Sequence, residues 1–260
     1  MIPHAFRFGV VSGRAPDWAG LARRAESLGY STLLVPDTLG TLSPFAACAA
    51  AASVTTTLRV GTYVLSAPLR HPQAVAWEAA TLHELSGGRF ELGLGAGRPH
   101  AEADAARLGA DFGTPAQRID RVAATADAVA DVPILIAAAG SRLLRVAAAR
   151  AATVAVALPP NATETQLAAR LDELYELAGD RYGELELNVN VAAVGEELPS
   201  WLAARFGPPG DDAVGVLPGT ADRIAETLIR RRDKLGISYV TVPADRLDAF
   251  APVVERLAGT

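Results

Sequence analysis

The feature that most constrains the fold of this sequence is an alternation, repeated along the chain, of short apolar runs with longer stretches of helical periodicity. The apolar runs span residues 6–11, 31–37, 58–66, 90–97, 133–140, 153–159, 185–195 and 237–243. The helical stretches span residues 16–29, 43–55, 71–86, 115–130, 141–151, 164–179, 220–236 and 245–258. The runs are apolar throughout, as expected of strands that are covered on both faces.

Alternating strands and helices predict a parallel sheet. Eight such units in 260 residues fit a (β/α)₈ barrel, the TIM barrel, and a doubly wound open sheet is the alternative, because a sequence does not show closure. We expect residues 1–260 to form a single domain. A polar stretch (98–114) follows the fourth strand, and an irregular, Pro- and Gly-rich excursion (199–219) with a short amphipathic piece at Trp201–Phe206 follows the seventh.

Composition and charge exclude several classes of partner. The net charge is −5 and there is no basic block, so a nucleic-acid partner is not expected. The densest positive run, Arg230–Arg232, is expected to be a solvated helix face. No apolar stretch is long enough to span a bilayer, the N-terminus lacks the pattern of a signal peptide, and the one cysteine, Cys48, lies among alanines. We therefore expect a soluble, cytoplasmic protein without a membrane partner.

The carboxyl ends of the strands, where a barrel of this kind holds its active site, are poor in catalytic residue types. The four histidines have no metal-ligand spacing, so no metal site is expected. Small residues dominate instead, at Gly93–Gly97 after the fourth strand and at Ala138–Gly140 after the fifth. These glycines either make room for a flat ring or allow tight packing of another backbone. Gly140 and Ser141 open a helix whose free N–H groups could hold a phosphate.

The segment LRVGTYVLSAPLRHPQAVAWEAATLHELSGGRFELGLGAG, residues 58–97, resembles the luciferase-like monooxygenase superfamily. Supporting stretches are AESLGYSTLLVPD near the start, PILIAAAG at the fifth strand and a late segment that ends Gly-Ile-Ser-Tyr. The resemblance favours the actinobacterial branch of oxidoreductases that depend on the deazaflavin coenzyme F420. It implies a (β/α)₈ barrel and hydride transfer between F420 and a small organic molecule. FMN with monooxygenase chemistry is the alternative, and a third possibility is a cofactor-poor homologue that acts as a binding or partner subunit.

The same resemblance implies a set of site residues. The cofactor would contact Asp37, Thr38, Tyr63, Val64, Ala96, Gly97, Ala139 and Gly140. A cis peptide bond is expected between Tyr63 and Val64, and Asp37 would lie near the ring as a candidate catalytic residue. His100 is the second candidate catalytic residue, as a proton donor, because of its place in the shortened loop after the fourth strand. The helices after the second and third strands are expected to form a homodimer interface.

Some residues depart from the family pattern or allow two interpretations. Thr38 stands where the branch usually has histidine, and the insertion after the fourth strand is shortened to about 17 residues. Asp37 is either a polar pocket residue or the cap of the following turn. Arg98 either neutralises an anionic group of the ligand or pairs with Glu102. Asn188 and Asn190 are expected on one strand face inside the barrel, where they could contact a ligand.

Overall fold

A computed structural model of the chain describes residues 4–98, 101–195 and 199–260. The strands are β1 Arg7–Val11, β2 Thr32–Val35, β3 Arg59–Thr62, β4 Leu65–Ser66, β5 Phe90–Gly95, β6 Ile134–Ala138, β7 Thr153–Val156, β8 Glu186–Asn190, β9 Ala193–Gly195, β10 Val216–Pro218 and β11 Ile237–Pro243. The helices are α1 Trp18–Ser27, α2 Pro44–Ala52, α3 Pro72–Leu85, α4 Glu102–Arg107, α5 Pro115–Ala128, α6 Ser141–Arg150, α7 Glu164–Ala178, α8 Ser200–Phe206, α9 Ala221–Leu235 and α10 Leu247–Leu257.

The strands close into a parallel barrel. Hydrogen bonds connect β1, β2 and β3 in order, and β5, β6, β7, β8, β11 and β1 in order. Pairing of β3 with β5 completes the ring, and β4 extends β3 beyond Tyr63 and Val64 along β5. The prediction of a (β/α)₈ barrel is confirmed, since a pairing that returns to its first strand rules out the open sheet.

The predicted seventh strand, 185–195, is wrong as a single element. β8 stays in the barrel, whereas β9 leaves it and pairs with β10 in a separate two-stranded parallel sheet. An unbroken apolar run hides this division because both strands are buried. The excursion is therefore more ordered than predicted: it contains β10 and α8, and α8 matches the predicted amphipathic piece. The polar stretch after β5 contains the helix α4, which was not predicted.

Local sequence signals place the ends of several helices. Thr114 and Thr163 each form a capping box with a glutamine three residues later, at the starts of α5 and α7. Gly236 ends α9 with φ of +74°, a conformation that favours glycine. Within the described part of the chain, no helix is long and apolar enough to cross a membrane.

The core has one part between barrel and helices and another inside the barrel. Leu34, Leu135, Ala155 and Tyr239 form the interior cluster. Below it, at the amino ends of the strands, lies a layer of charged side chains. Glu91 of β5 accepts hydrogen bonds from Arg7, Thr32 and Arg59 on three other strands. This layer seals the amino end, so the opposite end, called the mouth below, is where a ligand can enter.

Candidate functional site at the barrel mouth

A cavity of about 190 Å³ opens at the mouth, on the side where β6, β7 and β8 end. Small side chains at the ends of β6 and β7 create the space, since Ala137, Ala155 and Ala157 stand where larger residues would fill it. The described residues that line it are Tyr63, Val64, Ala137, Ala155, Val156, Ala157, Leu158, Leu167, Val189, Asn190, Val214 and Gly215.

Tyr63 reaches across the barrel from the end of β3. The peptide bond between Tyr63 and Val64 is cis, as the resemblance predicted. The Tyr63 hydroxyl donates a hydrogen bond to Oδ1 of Asn188 on β8, at 2.7 Å. Burial raises the pKa of Tyr63 to about 12, and a hydrogen bond with Thr241 opposes this only in part. Tyr63 is therefore a neutral phenol at physiological pH.

Asn188 and Asn190 lie on the inner face of β8, as predicted. Asn188 is fully buried, and its Nδ2 donates to the carbonyl oxygen of Tyr239 at 3.2 Å. Asn190 is exposed in the mouth, and its Oδ1 accepts a hydrogen bond from Oγ1 of Thr241 at 3.0 Å. Asn188 therefore fixes Tyr63, whereas Asn190 lines the cavity.

Asp37 lies at the carboxyl end of β2 but is not among the described residues that line the cavity. Its Oδ1 forms an ion pair with Nη2 of Arg70 at 2.7 Å, and its Oδ2 accepts from the Ser66 N–H at 3.1 Å. The carboxylate thus holds the segment that follows Tyr63 and Val64, rather than capping its own turn. Thr38 accepts hydrogen bonds from Thr41 through its carbonyl group, within that turn.

The glycines near the end of β5 are explained by packing of the protein on itself. A Cβ at Gly93 would lie 2.0 Å from the Thr62 carbonyl oxygen, which confirms that core crowding excludes a side chain there. A Cβ at Gly95 would lie 2.5 Å from Cγ2 of Val64. Gly97 has φ of +85°, and the Phe112 ring would lie 2.8 Å from its Cβ. Val64 and Phe112 thus explain why Gly95 and Gly97 carry no side chain, and the interpretation of these glycines as space cleared for a flat ring stays a prediction.

The shortened insertion packs beside these glycines. Phe112 joins Leu69, Ala101 and Ala105 in a small apolar cluster. Arg118 lies over the Phe112 ring and donates from Nε to the carbonyl oxygen of Ala96, at 3.0 Å. The expected pairing of Arg98 with Glu102 is wrong, because Nη2 of Arg98 bonds Oδ2 of Asp104 at 2.6 Å. His100 lies outside the described residues.

Ala139 and Gly140 precede α6 at the end of β6. Gly140 caps the helix with extended backbone, and no side chain among the described residues accepts from the first N–H groups of α6. A Cβ at Gly140 would have no atom within 4 Å, so there is free space beside this residue. The predicted phosphate site at this helix start stays a prediction.

The structure thus groups the predicted cofactor residues in two sets. Tyr63 and Val64 line the cavity, whereas Asp37, Thr38, Ala96, Gly97, Ala139 and Gly140 are not among its described lining. Sequence reasoning places Leu158 at a strand end but missed the rest of the cavity wall, formed by Leu167, Val214 and Gly215. The only signal for it was the apolar segment Ala213–Leu217 inside the polar excursion. Among the described residues, no group of histidine, cysteine and carboxylate side chains is arranged to hold a metal.

Comparisons with known proteins agree with this architecture. Residues 3–123 match the family described as luciferase-like monooxygenase. A 4-hydroxyprotoasukamycin monooxygenase of Streptomyces nodosus subsp. asukaensis is 44% identical over 82 residues, which are 30% of this chain and 22% of the relative. The chain thus spans less than a quarter of that relative's length.

Two solved structures superpose on almost the whole chain. The coenzyme F420-dependent tetrahydromethanopterin reductase of Methanopyrus kandleri has a TM-score of 0.75 at 17% identity and covers 98% of each chain. A riboflavin lyase with modified FMN and riboflavin also has a TM-score of 0.75, at 14% identity, over 98% of this chain and 92% of its own. At such identities the likeness concerns the fold. The resemblance to the luciferase-like monooxygenases is thereby confirmed in sequence over residues 3–123, and the barrel fold is shared with the two solved structures over nearly the whole chain.

Proposed function

We propose that this protein is an oxidoreductase that binds F420, or alternatively FMN, at the barrel mouth and acts on a small organic molecule. One observation carries the proposal: the mouth cavity opens beside Tyr63 and Val64, two predicted cofactor-binding residues inside the segment that matches the family.

The residues present fit such a coenzyme. Both coenzymes carry a phosphate, and the open start of α6 at Gly140 offers unpaired N–H groups and the positive end of the helix dipole. Tyr63 and Val64 offer a floor for the edge of the ring. When bound, a deazaflavin would supply hydride transfer at C5 of its ring, and FMN would supply oxygenation chemistry.

The protein's own contribution is mainly positioning. Asp37 holds Ser66 and Arg70, and so fixes the backbone that follows Tyr63 and Val64. Tyr63 keeps its proton, because its pKa is about 12, and can act only as a hydrogen-bond donor or acceptor. We propose His100 as the proton donor. Asp37 is paired with Arg70, so we propose it as a positioning residue that also lies near the ring.

The test is titration of the purified protein with F420 and, separately, with FMN, followed by fluorescence of the deazaflavin and absorbance of the flavin. We expect saturable binding of at least one coenzyme, and the one that binds distinguishes hydride transfer from the monooxygenase alternative. Gly140→Asp and Gly140→Asn form a matched pair, because both side chains are good helix caps and only one is charged. Asp should weaken binding by about tenfold relative to Asn, through repulsion of the phosphate.

A second candidate is a cofactor-poor homologue that binds a partner or ligand without catalysis. Two observations favour it: Val64 and Phe112 fill the space at Gly95 and Gly97, and Thr38 replaces the expected histidine. Absence of any spectral change with both coenzymes would contradict the oxidoreductase and leave this candidate.

A further inference from the structure

The mouth cavity has a wall to which its two predicted cofactor residues, Tyr63 and Val64, do not belong. Val214 and Gly215, from the excursion between β9 and β10, form this wall together with Leu158 and Leu167. The shortened insertion after β5 contributes none of the described lining residues. The excursion therefore sets the shape of this half of the mouth.

Backbone hydrogen bonds hold this wall in place. Val214 N donates to the carbonyl oxygen of Ala162 at 2.8 Å, and Gly215 N donates to that of Pro160 at 3.1 Å. On the other side, Ala192 N donates to the Gly215 carbonyl oxygen at 2.8 Å. A Cβ at Gly215 would lie 2.6 Å from Cα of Pro160, so a side chain there would push the wall outward.

A buried ion pair anchors the wall from behind. Arg231 of α9 is only 4% exposed, so the prediction that Arg230–Arg232 form a solvated face is wrong for Arg231, whereas Arg230 is exposed. Nη1 and Nη2 of Arg231 donate to the carbonyl oxygens of Val214 and Ala213, at 3.1 and 2.9 Å, and its Nε donates to Glu164 at 3.0 Å. Arg230 binds the same carboxylate but makes no hydrogen bond to the described residues of the wall.

The volume and the lining of the cavity limit which ligands it can hold. A cavity of roughly 150 Å³ accommodates benzene, and whole ligands usually need about 300 Å³ or more, so 190 Å³ fits one ring or a branched chain of similar size. None of its described lining residues is charged, and transfer of a charge into such surroundings is costly. At the rim, Asn190 Oδ1 is held by Thr241, and its Nδ2 makes no hydrogen bond to another described residue. That NH₂ group can donate to an oxygen acceptor.

We infer that this half of the mouth is a substrate subsite for an uncharged, apolar group of about six carbons that carries an oxygen acceptor, bound by Asn190. Val214 determines the size limit of the subsite, and Arg231 is the positioning residue that holds Val214 in place. The inference deepens the proposed function and rests on it for the role of the ligand as substrate.

Binding of cyclohexanone, measured by ligand-observed NMR without coenzyme, tests the subsite directly. We expect cyclohexanone to bind and cyclohexanecarboxylate, of similar size but charged, to bind at least about tenfold more weakly. Ala157→Phe fills the cavity from its exposed rim, where folding is least at risk, and should abolish the signal. Val214→Ala should shift the preference toward 2-adamantanone by about tenfold.

Substitutions of the neighbouring residues Arg231 and Arg230 test whether Arg231 holds the wall in place. Arg231→Met should weaken cyclohexanone binding by about tenfold, because the wall loses both carbonyl contacts, whereas Arg230→Met should change it by less than about twofold. Circular dichroism shows whether each variant folds. If Arg231→Met does not fold, the response of Val214→Ala to 2-adamantanone decides whether this wall sets the size of the subsite.

The outcomes separate this inference from the proposed function. No cyclohexanone binding to a protein that binds F420 or FMN would overturn the subsite and leave the oxidoreductase standing. Equal binding of the ketone and the carboxylate, or an unchanged ketone signal in Ala157→Phe, would also overturn it. Ketone binding to a protein that binds neither coenzyme would support the subsite and contradict the oxidoreductase.

Discussion

The absence of a side chain at Gly93 allows β5 to pack against β3. The Thr62 carbonyl oxygen lies where a Cβ would be, and Oγ1 of Thr62 accepts from the Gly93 N–H at 2.9 Å while donating to its carbonyl oxygen at 2.7 Å. Gly140 is the opposite case, since the space around it is open and its backbone is extended. The two glycines therefore have different reasons to be glycine.

Alanine at these two positions tests that difference. Gly93→Ala forces the backbones of β3 and β5 apart and should lower the free energy of unfolding by about 3 kcal/mol or more. Gly140→Ala, the matched control, loses only a preferred helix cap and should lower it by no more than about 1 kcal/mol. Urea unfolding followed by circular dichroism measures both. A Gly93→Ala protein as stable as the parent would contradict the close contact with Thr62.

At the element scale, Glu164 connects the start of α7 with α9. The hydrogen bond from Arg230 is the largest cause that lowers the pKa of Glu164 to about 2, Arg231 adds to it, and burial opposes it. The folded pKa lies below the ordinary value of 4.5. The contribution of this group to stability is therefore complete above pH 4.5 and is lost as the pH falls toward 2.

Glu164→Gln removes this pH dependence. We expect it to reduce the free energy of unfolding at pH 6 and to make much less difference at pH 3, where the parent is also losing the ion pair. Glu255→Gln, an exposed carboxylate on α10, is the control and should have little effect at pH 6. Denaturant unfolding at the two pH values measures the difference. A deficit as large at pH 3 as at pH 6 would show that Glu164 acts through packing rather than charge.

Comparison of the predicted and observed strands and helices shows which features the sequence can predict. Periodicity and apolar runs predict the eight barrel strands, because each is a local pattern, and the strand order then gives the mouth. The break between β8 and β9 is not local, since β9 is defined by its pairing with β10, twenty residues or more away. Burial of Arg231 depends likewise on Glu164, which lies 67 positions earlier in the chain. The cavity wall was missed for that reason.

Glu91 acts at the scale of the whole molecule, because it ties β5 to three other strands across the closed end of the barrel. It is 4% exposed and accepts from Arg7, Thr32 and Arg59. Glu91→Gln leaves the two half-buried guanidinium groups of Arg7 and Arg59 without this carboxylate and should cost about 3 kcal/mol of unfolding free energy. Glu84→Gln, on the exposed face of α3, serves as the control. Thermal unfolding of the two variants measures the cost, and an equal effect would contradict the role of Glu91.

Exposed apolar side chains on the outer helices α2 and α3 indicate how the molecule assembles. Trp77 and Leu85 of α3 are 75% and 76% exposed and lie on one stripe of the helix, next to Phe45 of α2. Exposed apolar patches of this kind mark contact surfaces. They lie on the two helices where the family resemblance implies a homodimer, so we propose that a second copy of this chain covers them.

Trp77→Lys tests that assembly. A charge at the centre of the patch should convert the dimer to a monomer at micromolar concentration, because neither copy can pair the buried ammonium group. Trp201→Lys is the matched control, since Trp201 is 48% exposed on α8, away from α2 and α3, and the dimer should persist. Size-exclusion chromatography with light scattering measures the mass of each variant. A parent protein that elutes with the mass of one chain, or a Trp77→Lys variant that stays dimeric, would contradict the proposed interface.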